Sequence, residues 1–168
     1  MEIVITILLL INLGGIAFQD FKERRITVLL FVPLAALSFF YPAGGMYDSL
    51  NQILINGLIL LAIYILTWTY FKLRGKSEGF IGEKIGWGDV FILLAFIPLF
   101  ESIGLIGILE SSAVVGILYY LIFRPVNKEI PFAGIIAMIT VICLVLNEFA
   151  SLNFFTDEIF ANLLMYGS

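Results

Sequence analysis

The chain has 168 residues, 61% of them hydrophobic and 13% charged, with a formal net charge of −4 and a mean hydropathy of +1.08. An ordinary soluble domain carries roughly 45–50% apolar and about 25% charged residues, and a domain this small has too much surface to hide the excess from water. The composition therefore excludes a soluble globule and a basic nucleic-acid binder. With no histidine and a single cysteine, Cys143, it also excludes a disulfide framework and the ordinary His/Cys zinc sites.

A membrane-crossing helix needs about 20 apolar residues, with a range near 17–25. Residues 3–19 are the first such run, closed by Gln19-Asp20. Its Met-Glu start lacks the basic stretch of a cleavable signal, so it reads as a retained helix. Residues 26–41 form the second, stopped by Tyr41-Pro42 and the turn-rich Ala43-Gly44-Gly45, and residues 53–71 the third, flanked by the interfacial aromatics Tyr70 and Phe71. The stretch 89–123 is too long for one crossing and is interrupted by Pro98, Glu101 and Ser102. It divides into a short fourth helix, 89–100, and a fifth, 103–122. Residues 131–147 are the sixth, and 152–165 are too short and polar to span, fitting an interfacial amphipathic segment. The expected fold is an all-α membrane protein of six transmembrane helices forming one domain over residues 1–168.

Charge placement supports that number. Lys22, Arg24 and Arg25 fall between helices one and two, Lys72, Arg74, Lys76 and Lys84 between three and four, and Arg124 and Lys128 between five and six. These are all nine basic residues of the chain. The alternate connections carry Glu2, Asp48, Glu101, Glu148, Asp157 and Glu158 instead. The positive-inside rule makes the basic connections cytoplasmic and places both termini outside the cytoplasm, in a multi-pass protein of the cell's inner (cytoplasmic) membrane.

Two aspartates stand where the basic connections meet the membrane: Asp20 at the end of helix one, and Asp89 in Gly86-Trp87-Gly88-Asp89-Val90 at the start of helix four. Ionisable groups at membrane depth are costly and carry a functional presumption. Six crossings put both on one face at similar depth. Paired carboxylates in a low-dielectric site share a proton, so one can act as base toward water while the other protonates a substrate carbonyl. Gly86 and Gly88 would let a substrate strand approach closely. Structural readings stand beside this one. Asp20 could pair with Arg24 one turn on, and Asp89 could be the N-cap of helix four.

Asp20 in Asp20-Phe21-Lys22-Glu23-Arg24-Arg25-Ile26, Asp89 in Gly86-Trp87-Gly88-Asp89, and Ile130-Pro131-Phe132-Ala133-Gly134 at the start of helix six together resemble the type IV prepilin peptidases, in order and over nearly the whole chain. The resemblance implies an aspartic membrane endopeptidase that removes the basic leader of prepilin or pseudopilin precursors at the cytoplasmic face, without metal or cofactor. It implies Asp20 and Asp89 as the catalytic pair, Gly86 and Gly88 as the rest of a Gly-x-Gly-Asp motif, and Pro131 and Phe132 as an element near the site. Phe91 stands where many members have lysine, and Thr27 where many have proline. The cysteine-rich insertion of larger, bifunctional members has no counterpart between Asp20 and helix two, which argues against the N-methyltransferase activity of those members.

Two other functions stay open: an intramembrane protease with presenilin-like logic, for which Gln19-Asp20 and Pro131-Phe132 replace the Tyr-Asp and Pro-Ala-Leu elements, and a non-enzymatic carrier or assembly subunit whose acids bind a cation or relay protons. Among weaker candidates, Lys84 and Arg24 are substrate or loop contacts, the loop 72–84 is either a solvated topogenic loop or a mobile cover, and Glu110, inside helix five, is a hydrogen-bonded packing group, a neutral acid or a substrate contact. Gly14-Gly15 and Gly104/Gly107 read as close helix-packing sites, and Cys143 as an inert apolar-run residue.

Overall fold

A computed structural model describes residues 2–24, 26–41, 48–75, 85–123, 130–150 and 154–157. Every long element among them is helical: α1 (Glu2–Glu23), α2 (Phe31–Phe40, entered through a single 3₁₀ turn, Val28–Leu30), α3 (Asp48–Leu73), α4 (Trp87–Phe96), α5 (Ser102–Phe123) and α6 (Phe132–Ala150). Four of them, α1, α3, α5 and α6, are long and apolar enough to cross a membrane. Many of the exposed side chains are large hydrophobics such as Ile3, Ile11, Leu66 and Phe149, which is the surface expected of a chain solvated by lipid. This is a multi-pass membrane protein.

The two short helices depart from the expected boundaries for local reasons. α4 begins at Trp87 and stops at Phe96 rather than running to residue 100. Pro98 has no N–H to continue the ladder, so although Ile97 keeps helical backbone angles (φ −50°, ψ −49°) the chain closes tight turns instead, with Ile97 N–H donating to Leu94 O (3.3 Å) and Leu99 N–H donating to Phe96 O (3.0 Å). α2 is 10 residues long, about 15 Å, half of a hydrocarbon core. The extended backbone at Thr27 (φ −69°, ψ 126°) delays its start, and the Thr27 N–H is held by Gln19 Oε1 at 3.0 Å. α2 and α4 pack on each other with Phe31, Leu34, Ile92, Ala95 and Phe96 buried.

The bundle is organised on the antiparallel pair α1/α6. Gly134 meets Asp20 at one end (2.7 Å), and Thr6 Oγ1 donates to Glu148 at the other (3.3 Å). The second end is closed by aromatic stacking. Phe155 lies parallel to Phe100 (centroids 4.8 Å apart) and against Tyr41 (5.2 Å). Residues 154–157 form a turn there: Asp157 Oδ1 accepts from the Ile103 and Gly104 N–H groups (2.9 and 3.3 Å), capping α5, and Glu101 accepts from the Asp157 N–H. Gly104 permits this docking, since a Cβ on it would lie 2.8 Å from the Phe154 carbonyl oxygen. The rest of the segment 152–165 lies outside the described residues. Gly14 and Gly15, expected to bring helices together, do not: a Cβ at Gly14 meets nothing within 4 Å, and one at Gly15 touches only the Leu30 side chain at 3.8 Å.

α3 stands apart, with only 6% of its apolar window buried. Asn56, fully buried, ties it to the bundle: its Nδ2 donates to Ile97 O (2.9 Å) and Phe100 O (2.7 Å). These carbonyls lie in the turns between α4 and α5, and no helical N–H serves them there. Replacing Asn56 by alanine should lower stability by about 1–3 kcal/mol, because two buried carbonyls lose their partner. Thermal unfolding in detergent would read this as a lower transition temperature.

Candidate active site

Asp20 occupies the last turn of α1 and is buried. α1 ends just beyond it, where Arg24 takes a left-handed conformation (φ 54°) and its N–H still donates to Asp20 O at 3.1 Å. Such a residue closes a helix by satisfying a terminal carbonyl. Asp89 is the third residue of α4, with Gly86 as the N-cap. It is therefore not the N-cap of its helix, although its Oδ2 accepts from the Gly86 N–H at 3.3 Å. Gly88 brings the two segments together, because a Cβ there would lie 3.2 Å from Ile26 Cδ1. The chain leaving α1 thus rests on the first turn of α4.

The convergence is completed by α6. Its first N–H groups have no carbonyl to bond within the helix, and Pro131, whose carbonyl accepts the first helical bond from Ile135 N–H (2.9 Å), has no side chain able to cap them. The aspartates do it instead. Ala133 N–H donates to Asp89 Oδ1 at 3.0 Å, and Gly134 N–H donates to Asp20 Oδ2 at 2.7 Å. Carboxylates from α1 and α4 are thus pinned to consecutive amides at the positive end of a third helix. Gly134 is needed for this approach: a Cβ on it would lie 3.1 Å from each of Asp20 Cβ, Asp20 Oδ2 and Phe21 Cδ2. Gly86 leaves room for Asp89 in the same way, its Cβ position being 3.2 Å from Asp89 Oδ2. Among the described residues, Asp20 Oδ1 makes no hydrogen bond. Asp89 is only half-buried and Gly86 is exposed.

Asp20, Asp89, Gly86, Gly88 and Pro131 therefore meet at one end of the bundle, and Phe132, the first residue of α6, stands among them, its N–H donating to Ile130 O (2.8 Å). Arg24 is nearby but aims elsewhere. Its Nη2 donates to Tyr119 Oη of α5 at 2.8 Å, with the guanidinium 5.6 Å from that ring centroid, so it ties α1 to α5 in place of an ion pair one turn back. Lys84 and residues 76–84 of the loop lie outside the described residues. Phe91 packs between Trp87 (6.1 Å) and Phe31 (5.4 Å). Lys22, Lys72 and Arg74 each lie over an aromatic ring four residues back, Phe18, Trp68 and Tyr70, a pairing suited to a membrane interface.

Several contributors are missed from sequence alone. The amides of Ala133 and Gly134 seat the pair, while Gln19 and Tyr119 hold the chain leaving α1 through Thr27 and Arg24. Pro131 at the head of an apolar run was the available clue to the amides, since a helix opened without a capping side chain must find its acceptors elsewhere. No family model, curated protein or solved structure matches this chain.

Proposed function

We propose that this protein is a membrane aspartic endopeptidase of the prepilin-peptidase type, acting on precursors that carry a basic leader ahead of a hydrophobic helix. The observation that carries the proposal is the seating of Asp20 and Asp89 on the consecutive amides of Ala133 and Gly134. A pair so placed can divide the work of hydrolysis. One carboxylate takes a proton from the attacking water while the other gives its proton to the carbonyl oxygen of the scissile bond, and the proton taken up then passes to the leaving amine. The unbonded Asp20 Oδ1 is available to hold that water, and the nearby amide dipoles of α6 offset the charge of the pair. The motif resemblance supports the same reading, and the clustering of all nine basic residues in three alternate connections supports a cytoplasmic active face in the inner membrane.

The test is proteolysis by the chain reconstituted in phospholipid vesicles, using a synthetic precursor peptide with a basic leader and an apolar helix. The expected product is cut immediately before the apolar segment, at a rate unchanged by chelator. A cut within the apolar segment would point to an intramembrane protease instead, and cation flux without proteolysis to a carrier.

A further inference from the structure

α5 carries an acidic residue on its outer face. The helix turns Gly104, Leu105, Ile108, Ser112 and Gly116 inward, and a step of about 100° per residue places Glu110 opposite Ile108 and Ser112. Glu110 is exposed there. At about 1.5 Å per residue it lies roughly 12 Å into the apolar span. A carboxyl group facing hydrocarbon is costly in either protonation state unless another helix supplies a hydrogen-bond partner, and Glu110 makes no hydrogen bond among the described residues.

Ser111 is exposed beside it. Its hydroxyl donates to Gly107 O at 2.7 Å, which leaves the oxygen free to accept. Further along, Val114, Leu118 and Leu121 are all more than half exposed. Gly107, Ser111, Val114, Leu118 and Leu121 follow the alternating four- and three-residue spacing of a helix–helix seam, with Glu110 on its flank. Gly107 and Ser111 are small enough to allow close approach.

We propose that this face of α5 packs against α5 of a second copy of the chain, with each Glu110 carboxyl hydrogen-bonded to Ser111 of the other copy. Membrane geometry selects a second copy. Two molecules inserted with one orientation are related by an axis along the bilayer normal, so each residue meets its own depth on the partner. Glu110 and Ser111, adjacent in sequence and level in the membrane, then supply each other's missing group. The side of α5 that holds Arg24 through Tyr119 lies away from the seam, so each copy keeps its own aspartate pair.

The test uses the full chain in native membranes with Cys143→Ser as background. Under copper–phenanthroline oxidation, Val114→Cys, on the seam and leaving Ser111 in place, is expected to give a band of twice the chain mass. Ile117→Cys, 58% exposed but about a quarter turn off the seam, should give far less. Adding Glu110→Leu to Val114→Cys should lower the yield about 8-fold, the weight of the two interhelical hydrogen bonds that the pair of copies loses, while Glu110→Gln should largely retain it. Equal cross-linking at 114 and 117, a product of another mass, or a monomeric wild type by size in detergent would overturn the proposal. Asp20→Asn should cross-link like its parent, which separates this result from the fate of the peptidase reading.

Discussion

Asp20→Asn is expected to fold with unchanged stability and to lose cleavage by about 10³-fold, the middle of the range for removal of a positioned acid–base group. The distinction matters because the aspartates have a second role as caps of α6. Only Oδ2 of Asp20 is bonded, to the Gly134 N–H, and an asparagine can present its one carbonyl oxygen to that amide. Capping then survives and proton transfer does not. Asp20→Ala removes both, and should lose activity to the same extent while also costing about 1–2 kcal/mol of stability. Asp89 is less clean. Both of its oxygens accept, from Ala133 N–H at 3.0 Å and Gly86 N–H at 3.3 Å, so Asp89→Asn keeps the shorter bond and loses the longer, at about 0.5–1.5 kcal/mol. Rates on the precursor peptide, set beside thermal unfolding of the same samples, separate the two roles. If Asp20→Asn cleaved at the parent rate, the pair would be a structural cap and nothing more.

The helices and the aspartates are legible in the sequence by different physical signals, and what is not legible is local. Apolar runs between charged connections report lipid contact directly, so the number of helices and their order were legible. The ends of α2 and α4 were not, because they are decided by events no hydropathy window contains: Gln19 capturing the Thr27 amide, and Pro98 stopping the ladder after Phe96. Asp20 and Asp89 stood out as charges at membrane depth. Their common seat on α6 did not, since backbone amides carry no residue signature, and Ala133 and Gly134 look like ordinary small residues in an apolar run. Asn56 was passed over for a related reason. A single amide in a hydrophobic stretch announces a partner without saying which carbonyls it serves. Gly14-Gly15 failed in the opposite sense, with the pattern of a packing site and open space in front of it.

That contrast between glycines gives a prediction with a built-in control. Gly134→Ala puts a Cβ about where Asp20 Cβ, Asp20 Oδ2 and Phe21 Cδ2 already stand, each 3.1 Å away. Relief cannot come from rotating the carboxylate alone, because Asp20 Cβ is fixed to the α1 backbone. α1 and α6 must part by a few tenths of an ångström, which lengthens the 2.7 Å bond between Gly134 N–H and Asp20. The bond from Ala133 to Asp89 belongs to the preceding amide and moves with α6. One carboxylate therefore shifts relative to the other. Misplacement of this kind acts on the chemical step, and a displacement near 1 Å costs about 10²-fold, so the expected loss is about tenfold in kcat for Gly134→Ala and about 100-fold for Gly134→Val, with KM little changed. Packing strain should add about 1–3 kcal/mol of destabilisation. Gly14→Ala is the control: the same substitution in a neighbouring helix meets no atom within 4 Å and replaces a poor helix former by a good one, worth up to about 1 kcal/mol. It should leave kcat unchanged and raise the unfolding temperature. A Gly134→Ala enzyme with the parent's kcat would mean that the site tolerates a wider gap between α1 and α6 than a hydrogen-bonded carboxylate pair can bridge, and that the two aspartates need not meet there to act.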